Sequence, residues 1–94
     1  MKCISGFRLR KLGNEYILVG ESMELINFNK MITLNETAAF LWENAERLTK
    51  EQGAFDANGL CKALCNEYEV DPSQAMTDVT NTISSWQEAG VIEA

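Results

Sequence analysis

Cysteines are the side chains of this sequence best suited to chemistry, and their number and spacing limit what that chemistry is. There are three, Cys3, Cys61 and Cys65, and the sequence contains no histidine. A zinc site would therefore need a carboxylate to complete its usual set of four ligands. Cys61 and Cys65 are four residues apart, a spacing that puts both thiols on one face of a helix. The pair fits ordinary packing, since free cysteine is commonly buried, or a metal or redox role.

The compartment follows from the cysteine count and the N-terminus. An odd number of cysteines favours reduced thiols over a disulfide framework. The first residues, MKCISGFRLRKLG, lack the apolar core of a secretion signal. The longest apolar run has five residues, Ala38 to Trp42, whereas a membrane helix needs about 20. We therefore expect a cytoplasmic protein that does not associate with a membrane.

The rest of the sequence offers little for catalysis. It has no histidine and no glycine-rich loop for a phosphate group, and its carboxylates fall mainly on faces predicted to be exposed. We therefore predict that the protein is not an enzyme, with no catalytic residue, no cofactor and no metal ligand.

Charge is distributed unevenly along the chain. Residues 1–34 contain five basic and three acidic side chains, a net charge of +2, whereas residues 35–94 contain three basic and eleven acidic side chains, a net charge of −8. Nucleic-acid backbones are bound by cationic side chains. The acidic C-terminal half therefore favours neutral or basic partners over nucleic acid.

The first third of the chain alternates apolar and polar residues in the manner of half-buried strands. Gly13 and Asn14 accept a positive φ, so the strands on either side of them should form a tight hairpin. Residues 25–28 also fit a short strand. The principal predicted strands cover residues 7–12, 15–20 and 31–34.

Three helices are predicted after Leu34: Glu36 to Leu48 with Asn35 as its N-cap, Ala57 to Glu67, and Pro72 to Ala89. The last has the clearest limits, with Asp71 as N-cap and Gln74 at the capping-box position. Gly90 should end it and let Val91 fold back onto Trp86. Trp42 and Trp86 are predicted to anchor the core.

These elements predict a single domain over residues 1–94, of the α+β class, with antiparallel strands followed by three helices in a winged-helix-like arrangement. Winged helices commonly read DNA through the third helix. Here that helix carries Asp78 and Glu88 and no basic residue, which disfavours DNA binding. A DNA-binding transcriptional regulator remains the alternative, because Arg8, Arg10 and Lys11 in the first strand could contact phosphates.

Several segments together resemble the pyrroloquinoline quinone biosynthesis protein D family (PqqD-like). The most specific is Leu34-Asn35-Glu36-Thr37-Ala38, at its expected distance from the Val70-Asp71-Pro72 joint. The resemblance spans about residues 7–92. The other matching segments are Tyr16-Ile17-Leu18-Val19, Ile32-Thr33, Leu41-Trp42, Tyr68-Glu69, Asp78-Val79 and Ala89-Gly90-Val91-Ile92.

The resemblance implies a non-catalytic peptide chaperone, a stand-alone recognition element for ribosomally made and modified peptides. Members of the family bind the leader of a precursor peptide and present it to a radical S-adenosylmethionine enzyme. The leader is expected to add a strand to the edge of the last β-strand and to rest against the third helix, a mode known as β-augmentation.

Carried onto this chain, the resemblance places the peptide-binding edge at Lys30, Met31, Ile32, Thr33 and Leu34. Met31 and Thr33 would flank the guest strand, since Ile32 and Leu34 point towards the core. On the third helix, Met76 and Ile83 would form an apolar floor and Thr80 would add a hydrogen bond. The same edge could pair with a second copy of the chain, which leaves a homodimer open.

Overall fold

The computed structural model describes residues 1–4, 6–20 and 31–93. The three principal predicted strands precede the three helices in the order predicted, which confirms the α+β, winged-helix-like arrangement. The possible strand at residues 25–28 lies outside the described residues. The elements are β1 (Lys2–Cys3), β2 (Phe7–Leu12), β3 (Glu15–Gly20), β4 (Met31–Leu34), α1 (Glu36–Gln52), α2 (Ala57–Glu67), α3 (Pro72–Ala89) and β5 (Ile92–Glu93).

The larger sheet is antiparallel, in the order β2-β3-β4. Leu12 faces Glu15 across the predicted two-residue turn, and Gly13 has the positive φ of 63° that such a turn requires. One face of the sheet contributes Phe7, Leu18 and Leu34 to the core. The alternation seen in the sequence therefore sets which face of the sheet meets the helices.

Helix α1 begins as predicted and ends later. The Asn35 side chain accepts a hydrogen bond of 2.7 Å from the backbone N–H of Ala38. The prediction that the helix ends at Leu48 is wrong, because it continues to Gln52 and stops at Gly53, whose φ is 84°. The additional turn is polar and exposes no apolar face, and an Arg47–Glu51 ion pair of 3.2 Å spans it.

Helices α2 and α3 have the predicted bounds. The Asp56 carboxylate accepts a 2.7 Å hydrogen bond from Gly59 N–H at the start of α2. Asp71 is the N-cap residue of α3 but makes no side-chain hydrogen bond to the helix backbone. The capping-box prediction for Gln74 is wrong, since its amide donates instead to the Asp78 carboxylate one turn later, at 3.0 Å.

The end of α3 closes as the sequence indicates. Gly90 has a φ of 77°, and Val91 N–H donates to the carbonyl of Trp86 over 3.1 Å. This is the bond of a Schellman motif. Val91 is fully buried, so the chain turns back into the core immediately after the helix.

The residues after Gly90 form a strand that the sequence did not reveal. Strand β5 pairs antiparallel with β1, placing Lys2 opposite Glu93 and Cys3 opposite Ile92. The N–H of Ile4 also donates to the carbonyl of Val91 over 3.0 Å. The two ends of the described chain are therefore joined through this small sheet.

Two tryptophans occupy the centre of the core, as predicted. Trp42 is 0% exposed and Trp86 is 2% exposed. Their rings meet edge to face with centroids 5.2 Å apart, a favourable arrangement for aromatic pairs. They join α1 to α3, and Leu34 of β4 belongs to the same core cluster. None of the helices among the described residues is long and apolar enough to span a membrane.

Candidate functional site

Strand β4 lies at an end of the three-stranded sheet. Its one partner among the described strands is β3, with Ile17 opposite Thr33 and Leu18 opposite Ile32. The far side of β4 therefore faces no described strand. Backbone donors and acceptors on that side can bond to a further strand.

The hairpin turn determines which β4 residues point to that side. In an antiparallel ladder, facing pairs alternate between bonded and non-bonded, and the pair that closes a two-residue turn is bonded. We count facing pairs along both ladders, starting from Leu12 and Glu15. On this count the backbone N–H and C=O groups of Ile32 and Leu34 are hydrogen-bonded to β3. Met31 and Thr33 then direct their N–H and C=O groups towards the outer side.

The sheet has a second end strand, β2, but that strand is of a different character. Its Arg8, Arg10 and Lys11 side chains are exposed, and charged side chains on an edge strand discourage further pairing. Strand β4 reads Met-Ile-Thr-Leu and contains no charge. Of the two end strands, β4 is the one suited to receiving an extended peptide.

The side chains of β4 divide as the sequence predicted. Leu34 is buried, Ile32 is half-buried against the core, and Thr33 is exposed. Lys30 lies outside the described residues, and for Met31 the structure describes the backbone alone. Thr33 thus lies on the face of the sheet opposite the core, and it is the exposed side chain among those described on β4.

Helix α3 places the three residues predicted for the site in different environments. Ile83 is 6% exposed and belongs to the core with Val79 and Leu34. Met76 is half-buried, and Thr80 is exposed. At 100° per residue, Met76 and Thr80 lie on one flank of the buried stripe. They therefore form a mixed apolar and polar shoulder on α3, whereas Ile83 packs in the interior.

The surface near Tyr68 is negatively charged. Tyr68 follows α2 and meets the Phe40 ring edge to face, with centroids 5.5 Å apart. Burial raises the pKa of the Tyr68 hydroxyl, and Glu36, Glu67 and Tyr16 raise it further. Because Glu36 directly follows β4 and its N-cap residue, the C-terminal end of this strand lies beside the acidic surface.

The described residues also form two clefts. A groove of about 890 Å³ runs between α1 and α2, with Phe40 and Leu48 in its lining. A cleft of about 710 Å³ lies between β2 and α1, beside Arg8 and Glu46. Neither is lined by described residues of β4 or by α3. The predicted peptide site is therefore an open edge and not an enclosed pocket.

All three cysteines are free thiols. Burial is the main reason that the pKa of Cys3 is raised to about 12, so this thiol is protonated at neutral pH. Within residues 1–4, 6–20 and 31–93, no three Cys, Asp or Glu side chains are grouped so as to hold a metal ion. Cys61 and Cys65 lie together on α2.

The fold is similar to that of two solved structures. The chain in "TbiB1 in Complex with the TbiA(beta) Leader Peptide" matches with a TM-score of 0.74 and 17% identity, over 100% of this chain and 96% of that one. The chain in "Lasso peptide synthetase B1 complexed with the leader peptide" matches with a TM-score of 0.70 and 19% identity, over 99% and 96% of the two chains.

No curated protein sequence matches this one. The family model described as coenzyme PQQ synthesis protein D (PqqD) matches residues 15–92, which include β3, β4, all of α1 to α3 and the start of β5. This range contains the uncharged end strand, the α3 shoulder and both tryptophans. The chain belongs to the PqqD family.

Proposed function

We propose that the protein binds the leader of a ribosomally made precursor peptide by strand addition to β4, and presents it to a modifying enzyme of the radical S-adenosylmethionine type. The observation that carries the proposal is the uncharged end strand, whose outer side faces no described strand. Membership of the PqqD family supports it. The two solved structures of similar fold also support it, because each is described as a complex with a leader peptide.

In this proposal the backbone provides affinity and the neighbouring side chains provide selectivity. The N–H and C=O groups of Met31 and Thr33 bond to the leader, and Ile32 and Leu34 stay bonded to β3. Met76 supplies apolar surface and Thr80 a hydroxyl. Ile83 contributes to the packing of α3 on the core, since it is almost fully buried.

The charge near the site suggests which leaders fit best. Glu36 and Glu67 both act on Tyr68, and α3 has no basic residue. An acidic leader segment would be repelled at this end of β4, whereas a neutral or basic segment would not. We therefore propose that the residues of the leader lying beside Tyr68 are neutral or basic.

The chemistry of modification belongs, in this proposal, to the partner enzyme. The described residues do not combine a nucleophile with a base at the β4 edge, and the exposed side chain there is a threonine. The protein would act in the cytoplasm, where ribosomal precursors are made. Pairing between two β4 edges would compete with the leader, so a homodimer is expected to dissociate when the leader binds.

A charge placed on the α3 shoulder tests this proposal. Met76→Glu is expected to lower leader affinity about tenfold or more, because an apolar contact worth about 1.5 kcal/mol or more is lost and a carboxylate is desolvated. Fluorescence anisotropy of a labelled leader peptide from a candidate precursor measures the change.

The matched control is Asn81→Glu. Asn81 is exposed on the same helix, about 140° round the axis from Met76, and the substitution adds the same charge. This variant should bind within about twofold of the unmodified protein. Equal losses in the two variants would mean that total charge governs binding and would contradict a site on the Met76 shoulder.

A further inference from the structure

The thiols of Cys61 and Cys65 form a pair on the face of α2 that meets the start of α3. The Cys61 S–H donates to the carbonyl oxygen of Pro72, with 3.8 Å between sulfur and oxygen. The Cys65 thiol interacts with that of Cys61, and its pKa is raised by burial first and then by Cys61 and Asp71. Both cysteines are half-buried, so a small ion can reach them from solvent.

Helix geometry makes this pair a poor disulfide. Residues four apart on a helix have Cβ atoms about 5–6 Å apart, whereas a disulfide needs about 3.5–4.5 Å. Closing the bond would distort α2 near its contact with α3. A bridging ion relieves the mismatch, because two metal–sulfur bonds of about 2.3 Å each, as in zinc thiolates, separate the sulfurs by roughly 4.5 Å.

We propose that Cys61 and Cys65 bind one Cu(I) ion between their two sulfur atoms. Thiolates select soft ions such as Cu(I), and this d¹⁰ ion accepts two thiolates in a near-linear arrangement. Zinc usually takes four ligands, and no group of three is present among the described residues. The site lies on α2, apart from β4, and does not depend on leader binding.

Binding replaces two S–H bonds with two Cu–S bonds and releases two protons. The oxidation states of copper and sulfur do not change. The Cu(I) ion and two neutral thiols together carry one positive charge, and the bis-thiolate complex carries one negative charge. Because both thiols must lose a proton, apparent affinity should rise with pH, by up to about a hundredfold per unit.

Cys3 provides an internal comparison. It lies in β1, where its backbone N–H donates to the Thr49 hydroxyl over 3.3 Å. Its pKa of about 12 slows its reaction with electrophiles, because thiolate is the reactive form. Burial also raises the pKa of Cys65, so what distinguishes Cys3 is its surroundings: the side chains that act on its thiol are Thr49 and Glu46, and neither is a second cysteine. Cys3 is therefore expected to take no part in copper binding.

The experiment is an anaerobic titration of the purified protein with Cu(I) held by the coloured chelator bicinchoninate. The unmodified protein and Cys3→Ser should each withdraw one equivalent of copper. Cys61→Ser and Cys65→Ser should each bind at least about a hundredfold more weakly. Native mass spectrometry should find one copper per single chain. Full affinity in Cys61→Ser or in Cys65→Ser, or copper found only between two chains, would overturn the proposal.

A second measurement uses the unmodified protein, in case a serine variant does not fold. Alkylation by iodoacetamide, mapped by peptide mass spectrometry, should be slowed at Cys61 and Cys65 by one equivalent of Cu(I). Alkylation of Cys3 should be slow with or without copper. Equal alkylation of Cys61 and Cys65 in the presence and absence of copper would also overturn the proposal.

Discussion

Thr33→Pro is expected to weaken leader binding about five- to hundredfold while the protein stays folded. Proline has no N–H, so the leader carbonyl opposite residue 33 loses its donor within the new ladder, at a cost of about 1–3 kcal/mol. The bonds of β4 to β3 should survive, because the register assigns them to Ile32 and Leu34. Proline is tolerated on end strands in this orientation. Anisotropy titration of the labelled leader measures the loss.

Thr33→Val is the control for this substitution. It keeps the backbone N–H and a β-branched side chain at an exposed position, and it should bind within about threefold of the unmodified protein. Thermal unfolding of both variants shows whether the sheet is intact. Unchanged leader affinity in folded Thr33→Pro would mean that the leader does not pair with the outer side of β4.

Trp86→Ala is expected to have the largest effect on stability, a loss of about 3–5 kcal/mol in the free energy of unfolding. Trp86 is 2% exposed and packs edge to face on Trp42 and Phe55, with centroids 5.2 and 6.4 Å away. Small domains are stable by only about 5–15 kcal/mol in total, so the variant should be partly unfolded at 37 °C. Urea denaturation followed by far-UV circular dichroism measures the change.

The comparison for this prediction is Trp86→Phe, which keeps an aromatic ring in the same position. It should lose clearly less stability than the alanine variant, because less volume is removed from the core. A loss below about 1 kcal/mol in Trp86→Ala would contradict the position of Trp86 at the α1–α3 contact.

Local signals in the sequence were sufficient for much of the fold. Gly13-Asn14 fixes the hairpin, Asn35 starts α1 with the hydrogen bond expected of an N-cap, and Gly90 ends α3 in a Schellman motif. Each of these depends on residues within a few positions of one another. Patterns of this kind specify structure without knowledge of the tertiary fold.

The errors arise where distant residues decide the outcome or where two local contacts compete. The pairing of β1 with β5 joins the two ends of the described chain, and two-residue strands leave no periodicity to detect. Gln74 could bond back towards the helix start or forward to Asp78, and it bonds to Asp78. The last turn of α1 is polar and was mistaken for a loop because the apolar repeat stops at Leu48.

The candidate site was only partly accessible to sequence reasoning. The alternation of Ile32, Thr33 and Leu34 predicted which side chains point to the core, and the structure agrees. The position of β4 at the end of the sheet depends on the order in which the strands pair. No residue type within β4 encodes that order. Ile83 is predicted to form the apolar floor of the site with Met76, but the structure buries it in the core with Val79 and Trp86. Met76, which is half-buried, is then the apolar side chain of the predicted floor that solvent can reach.

Amide hydrogen exchange followed by NMR, with and without the leader peptide, tests strand addition most directly. Ile32 and Leu34 should be protected in both states, because their N–H groups are bonded to β3. Thr33 and Met31 should exchange quickly in the free protein and about tenfold or more slowly once the leader is bound. Unchanged exchange at Thr33 and Met31 under saturating leader, with new protection in the α1–α2 groove instead, would contradict binding at β4.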